Sequence, residues 1–391
     1  MTRETRISMC SIADDTDLRS LEIQIGPQKF RTPTTAVITN NFYKDTSFPK
    51  DLLDLHEMFL RFDEDSLIKL DQDTGYSVDK NKKLDHSVNK THSCPKFCLL
   101  EFKNNTKNSV ESRYPTHQEI DILTNFAYSH SDITPIPSVP KMVRNLHKDN
   151  IDDFLTYLNI CCETIEVRNK KCILGYIPTT APLFTRKIVN LYLDKGINAY
   201  YIDFDGTMVT SHLDMLNSLK RELAKRGYDE NNFLHYVNVT YGKSINDTKV
   251  LSARDLLAFG HGLDSLGGIH TSQRRPPEYY EMLKTKKDIN RNTNRLLNID
   301  NYGYYIYDTL GNKFETLYPE NALINKDLLN TPVKTRLTKL IKIVNLQQQC
   351  LEADKLGQII NETPDESLNY FESKRNVLDN DIKLLSKRSA E

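Results

Sequence analysis

The chain has 391 residues, 38% of them hydrophobic and 27% charged, with 52 basic and 53 acidic side chains that leave a formal net charge of −1. That length suits one large barrel with additions or two ordinary domains. Its apolar runs fall short of the roughly 20 residues that cross a bilayer. A charge near zero gives no chain-wide attraction for nucleic acid, so such a partner needs a local basic surface.

The N-terminus shows no secretory apolar segment, which predicts a cytoplasmic protein without a membrane partner. Seven cysteines without a framework pattern predict reduced thiols, and Cys94 and Cys98 have no second pair at metal-site spacing. No metal and no cofactor is expected.

Residues 1–20 are polar and read as a flexible N-terminus. LEIQIGPQKFRTPTTAVITNNF then alternates on both sides of a Gly-Pro, which predicts a hairpin and a strand at Thr35–Thr39. Residues 71–93, rich in Asp, Lys and Asn, read as an inserted loop. From there strand candidates alternate with helical patterns: FCLLEF at 97–102, ITPIPSVP at 133–140, KCILGYIP at 171–178, INAYYIDF at 197–204, FLHYVNVT at 233–240 and LLAFG at 256–260. This rhythm predicts β-α-β units and a parallel sheet, best met by a (β/α)₈ TIM barrel over 21–320. A basic helical piece follows Pro276, then a hairpin turning at Gly311-Asn312. Residues 321–391 read as a C-terminal helical extension.

The segment YYIDFDGTM runs an apolar strand into Asp-x-Asp-Gly-Thr, the opening of haloacid-dehalogenase-type phosphohydrolases. A magnesium-dependent phosphohydrolase with Asp203 as nucleophile is therefore one reading. That enzyme type begins with this strand, whereas here a long β-α pattern precedes it. The alternative places Asp203 and Asp205 at the C-terminal end of a barrel strand, where side chains from several strands meet.

Taken in order, the segments resemble the tRNA-guanine transglycosylase superfamily, particularly its archaeal members. The N-terminal hairpin and Thr-Pro segment, SDITPIPSVP, LGYIP, INAYYIDFDG, FLHYVNVTYG, DLLAFGHGLDSLGGIHTSQR and the late helix LLNTPVKTRLTKLIKIVNLQQQCLEADKLGQIINE each stand where that family has a corresponding element. The resemblance covers about 21–375. It implies a barrel that handles a guanine or deazaguanine base in tRNA or DNA, with an Asp attacking the ribose C1′ and another acid serving the base.

The chain departs from the family at the chemistry. In the pattern Gly-x-Asp-x-Phe-Asp, Asp264 matches the first acid and Gly267 stands in the nucleophile's place. Glu101 is the carboxylate near the expected base-binding loop, and Tyr176-Ile177-Pro178 replaces a Gln-Gly-Gly loop. The family's zinc ligands are absent. Candidate catalytic residues are thus Asp203, Asp264 and Glu101, with Asp205, Gly206, Gly267, Gly268, His270 and Tyr176 for the substrate. Arg274, Arg275, Lys286, Lys287, Arg291 and Arg295, beside Tyr279 and Tyr280, would track a nucleic-acid strand. Three functions stand open: a diverged base-exchanging transglycosylase, a non-catalytic paralogue that binds nucleic acid as a homodimer or beside a paralogous subunit, and the phosphohydrolase.

Overall fold

The structure is a computed structural model that describes residues 5–39, 42, 48–88, 94–103, 113–144, 146–168, 171–242, 245, 250–271 and 294–386. It is a mixed α/β fold with a parallel sheet at its centre.

The chain opens with strand β1 (Thr5–Ile12), which pairs antiparallel with β2 (Arg19–Ile25). Residues 5–18 are therefore a strand and its connection to β2, not a loose tail. Alternation of Ile7 and Met9 with polar residues lets one row pack on the core while the other faces water. The Gly26-Pro27 hairpin forms as expected, with Ile25 opposite Gln28 and Gly26 at φ 57°, leading to β3 (Gln28–Arg31).

Parallel strands follow: β4 (Thr34–Thr35), β5 (His56–Phe62), β6 (Lys96–Phe102), β7 (Thr134–Pro135), β8 (Ile173–Pro178), β9 (Ala199–Asp203) and β10 (Phe233–Val237). After a short β11 (Leu251–Ser252), which belongs to a separate sheet, β12 (Ser265–Leu266) returns to the parallel set. One sheet runs β4-β12-β10-β9-β8-β7, and β5 and β6 form a parallel pair. Parallel bridges Val37↔His56 and Glu101↔Ser138 link that pair to the chain next to β4 and β7. Pro135 and Pro137 lack N–H groups, which keeps β7 short.

Helices cover the outside. Helix α1 (Glu64–Gln72) precedes α2 (Thr74–Val88), which occupies most of the stretch read as an inserted loop. Tyr76 and Leu84, eight residues apart, are anchors enough to seat it on the core. Helix α3 (His117–His130) starts at a capping box: Thr116 Oγ1 accepts from Glu119 N at 3.3 Å, and Thr116 N donates to the Glu119 carboxylate at 2.7 Å. After α4 (Pro140–Arg144), helix α5 (Ile151–Glu166) buries Phe154, Leu158, Cys161 and Ile165 along one stripe. Helix α6 (Pro182–Asp194) starts on a proline and stops at Gly196, φ 69°. Helix α7 (Leu213–Lys225) buries Met215, Leu219 and Leu223.

The segment LLAFG is not a strand. It lies in α8 (Arg254–Leu257) and the helical turn after it, and the last parallel strand comes later, at Ser265. The late hairpin also moves: β13 (Arg295–Asn298) pairs with β14 (Gly303–Ile306), turning at residues 299–302 with Tyr302 at φ 53°, whereas Gly311 lies in a helical turn. Asn298 Oδ1 accepts from Asn301 N at 3.2 Å, so Asn298 closes the turn in place of a Gly-containing pair. The C-terminal extension is helical, with α9 (Phe314–Leu317), the long α10 (Lys334–Glu362), α11 (Ser367–Glu372) and α12 (Asp379–Leu385). Leu340, Ile343 and Val344 of α10 share a second core with Val37 and Leu296.

Candidate functional site

Strand alternation decides what meets at the C-terminal ends of the parallel strands. On β8 and β9, Tyr176 and Tyr201 stack with ring centroids 5.2 Å apart, and Asp203, two residues on, shares their face. Asp203 retains 5% of its surface. Its Oδ1 accepts from Asn238 Nδ2 at 2.8 Å and from Asp205 N at 2.9 Å. Burial pushes its carboxyl up to about 6; the two amide donors oppose the rise, and the charges of Asp205 and Glu101 add to it. This is a carboxyl that exchanges its proton near neutrality.

The turn beyond β9 holds Asp205 at φ 48° and Gly206 at φ 75°, the latter donating to Asn238 O at 2.8 Å. Asp205 points back to α4, where Arg144 grips it through Nη2 at 2.9 Å and Nε at 3.3 Å. A cavity of about 320 Å³ opens here, lined by Asp203, Asp205, Tyr176, Arg144, Thr207 and His212. Thr207 Oγ1 and His212 Nε2 lie 2.8 Å apart, and burial lowers the His212 pKa.

Glu101 ends β6 at the same edge. Its two oxygens accept from Arg61 Nε at 2.6 Å and Nη2 at 2.9 Å, a two-point fork. Its charge acts on both Asp203 and Arg144.

A third acid enters from β5. Glu57 is fully buried, with His235 Nε2 2.7 Å from Oε2 and His270 Nε2 2.5 Å from Oε1, while Gly268 N donates to Oε1 at 3.0 Å. Burial would raise this carboxyl, but the imidazoles outweigh it and hold it well below the usual range. His270 stacks on Phe59, centroids 4.1 Å apart. Gly267 and Gly268 make room: a Cβ on Gly267 would collide with Glu57, His235 and Val237. Asn238, itself at φ 59°, joins the groups, since its Oδ1 accepts from His270 N at 2.6 Å and Thr271 N at 3.0 Å while its Nδ2 holds Asp203.

The sequence-derived residues thus divide. Asp203, Asp205, Gly206, Glu101, Tyr176, Gly267, Gly268 and His270 lie at or beside the strand ends. Asp264 does not. It precedes β12, at the opposite end of the strands, where Arg19 binds it through Nε at 2.8 Å and Nη2 at 2.6 Å and Leu234 N donates at 2.7 Å. Burial still pushes its carboxyl up, opposed by Arg19. Asp264 ties β12 to β10 and β2 and has no place in the strand-end chemistry. Arg295 lies on β13, half buried, its guanidinium 3.4 Å from Tyr304 O. Arg274, Arg275, Lys286, Lys287 and Arg291 fall outside the described residues.

Sequence reasoning missed Glu57, Arg61, Arg144, His235 and Asn238. The signal for two of them was present in HEMFLRF, where Glu57, Phe59 and Arg61 occupy alternate positions and so one face of a strand. A charged pair on the inward row of an apolar strand asks for partners.

No family profile and no curated protein matches this chain. Among solved structures, it is similar to the carboxyl transferase domain from Rhizobium etli pyruvate carboxylase with pyruvate, at 14% identity and a TM-score of 0.34, over 59% of this chain and 37% of that one. It is also similar to a glucosidase from Croceicoccus marinus, at 10% identity and a TM-score of 0.36, over 61% of this chain and 59% of that one. The chain thus spans little more than a third of the carboxyl transferase's length. At this level of similarity neither neighbour bears on function.

Proposed function

We propose that the parallel strands close as a (β/α)₈ barrel and that the chain is a diverged relative of the tRNA-guanine transglycosylases, acting on the glycosidic bond of a guanine-type base in tRNA or DNA. Closure is supported by the pairing of β12 with β4 and by the two bridges that carry β5 and β6 into the same series. Ligands of such barrels sit at the C-terminal strand ends.

Asp203 carries the functional reading. Glycosidic bonds break when a departing group receives a proton while charge develops on the sugar, work divided between a protonatable acid and an ionised one. Asp203, dry and amide-bonded, fits the first role; Glu101, forked by Arg61, fits the second. Arg144 beside the cavity suits a phosphate or a base carbonyl.

The phosphohydrolase reading has less support. It asks Asp205 to carry a proton and a magnesium ion to sit nearby, yet Arg144 engages Asp205. Among the described residues no group of three or more His, Cys, Asp or Glu is arranged to hold a metal. The binding-only reading draws on Gly267, which leaves the family's attacking position without a carboxylate of its own.

Incubation with labelled guanine or 7-deazaguanine precursors and bulk tRNA or DNA tests the proposal. Incorporation or release of base that disappears in Asp203→Asn supports it. Retention of nucleic acid without turnover in the wild type would replace it with the binding paralogue.

A further inference from the structure

The carboxylate missing at Gly267 is supplied from another strand. A side chain at Gly267 would occupy the space that Glu57 and His235 fill, so Glu57 brings an acid to the place where the resembled family keeps its nucleophile. Glu57 itself cannot attack a sugar: its side chain has no exposed surface and both oxygens are taken.

What Glu57 can do is fix a tautomer. An ionised carboxylate only accepts hydrogen bonds, so each histidine turns an Nε2–H toward it. His235 is closed on its other side, where Nδ1 lies 3.2 Å from Ser265 Oγ, and it is fully buried. His270 differs. It keeps 8% of its side chain exposed, and among the described residues its Nδ1 has no hydrogen-bond partner. Phe59 fixes the ring plane. The backbone N–H of His270 and the Asp203 carboxyl share the side-chain amide of Asn238, which ties the segment carrying the histidine to the strand-end acid.

We propose that His270 is a general base and Glu57 the residue that positions it, an assignment that rests on the glycosidic reading above. His270 Nδ1 takes a proton from water, whose oxygen bonds to the sugar C1′ as the bond from C1′ to the base nitrogen breaks. The electron pair leaves with the base, which receives the Asp203 proton. The products are a free base and a 1-hydroxy sugar, and return of the proton from His270 to Asp203 through solvent closes the cycle. The enzyme then works by single displacement, with no glycosyl-enzyme and no need of a nucleophile at position 267.

The test combines two readouts on the full-length protein. Nitrogen-15 histidine NMR, with His270 assigned from the His270→Asn spectrum, is expected to show the Nε2–H tautomer, redistributed in Glu57→Gln. Release of labelled guanine from bulk tRNA or DNA is expected to fall about 100-fold or more in both variants with little change in substrate retention. A His270 protonated on Nδ1 in the wild type, or release that survives His270→Asn, overturns the assignment of His270 alone. Wild-type protein with the expected tautomer that releases no base overturns the glycosidic reading, and this step with it. Should Glu57→Gln fail to fold, His270→Gln at its partly buried position carries the kinetic arm.

Discussion

Asp203 and Asp264 are both buried aspartates on the parallel sheet, on strands separated only by β10, yet they sit at opposite ends and differ in what meets them. Asp264 receives a two-point guanidinium contact and a backbone N–H, and Arg19 is braced in turn by Asn232 Oδ1 at 2.8 Å and Asp229 O at 2.9 Å. Asp203 receives two neutral amide donors, while the charges of Asp205 and Glu101 press on it. A buried acid met by a fitted cation is a fastener; one met only by amides keeps a mobile proton.

Removing the fastener should have the largest effect on stability. Arg19→Met strands Asp264 in a dry site and is expected to cost about 3–5 kcal/mol in denaturant unfolding; a loss under about 1 kcal/mol would mean that the pair does not hold the strand ends together. Asp203→Asn should act in the opposite direction. The native carboxyl titrates at about 6 against 3.8 ordinarily, so the native state binds the extra proton and stability falls as pH rises through that window. The asparagine keeps an acceptor for both amide donors. It should stabilise the protein by on the order of 2–3 kcal/mol at pH 7–8 and scarcely at all at pH 3, while abolishing turnover. Melting curves of the two proteins across pH 3–8 check the sign.

Gly267→Ala lies between the two ends in meaning, because it alters the packing under the strand-end acids. Its Cβ would drive into Glu57 and His235, with an expected loss of about 1–3 kcal/mol and of any base release. Arg144→Gln should be the mildest in stability, below about 1 kcal/mol, since the guanidinium is 40% exposed. Its effect should fall on substrate affinity, read as a raised KM.

The parallel α/β pattern was legible because strands such as INAYYIDF and helices such as α5 each bury a continuous apolar row, and Asp203 was legible because an acid ends an otherwise apolar strand. Asp264 misled because it was chosen for its match to the first acid of the resembled Gly-x-Asp-x-Phe-Asp pattern. An acid beside a short strand looks alike at either end, and its partner Arg19 lies 245 positions away in the chain. Glu57, His235 and Asn238 were hidden because each gains meaning only from partners on distant strands: Glu57 and His235 are 178 positions apart and meet in the buried interior. LLAFG was misread as a strand because a short apolar run has no period to tell a buried helical turn from a strand.

The proposed chemistry depends most directly on the protonation of one side chain, Asp203. Carbon-13 NMR titration of aspartate-labelled protein should reveal a carboxyl with a midpoint near 6 that vanishes in Asp203→Asn. An Asp203 resonance that titrates in the ordinary carboxylate range, near 4, would contradict it.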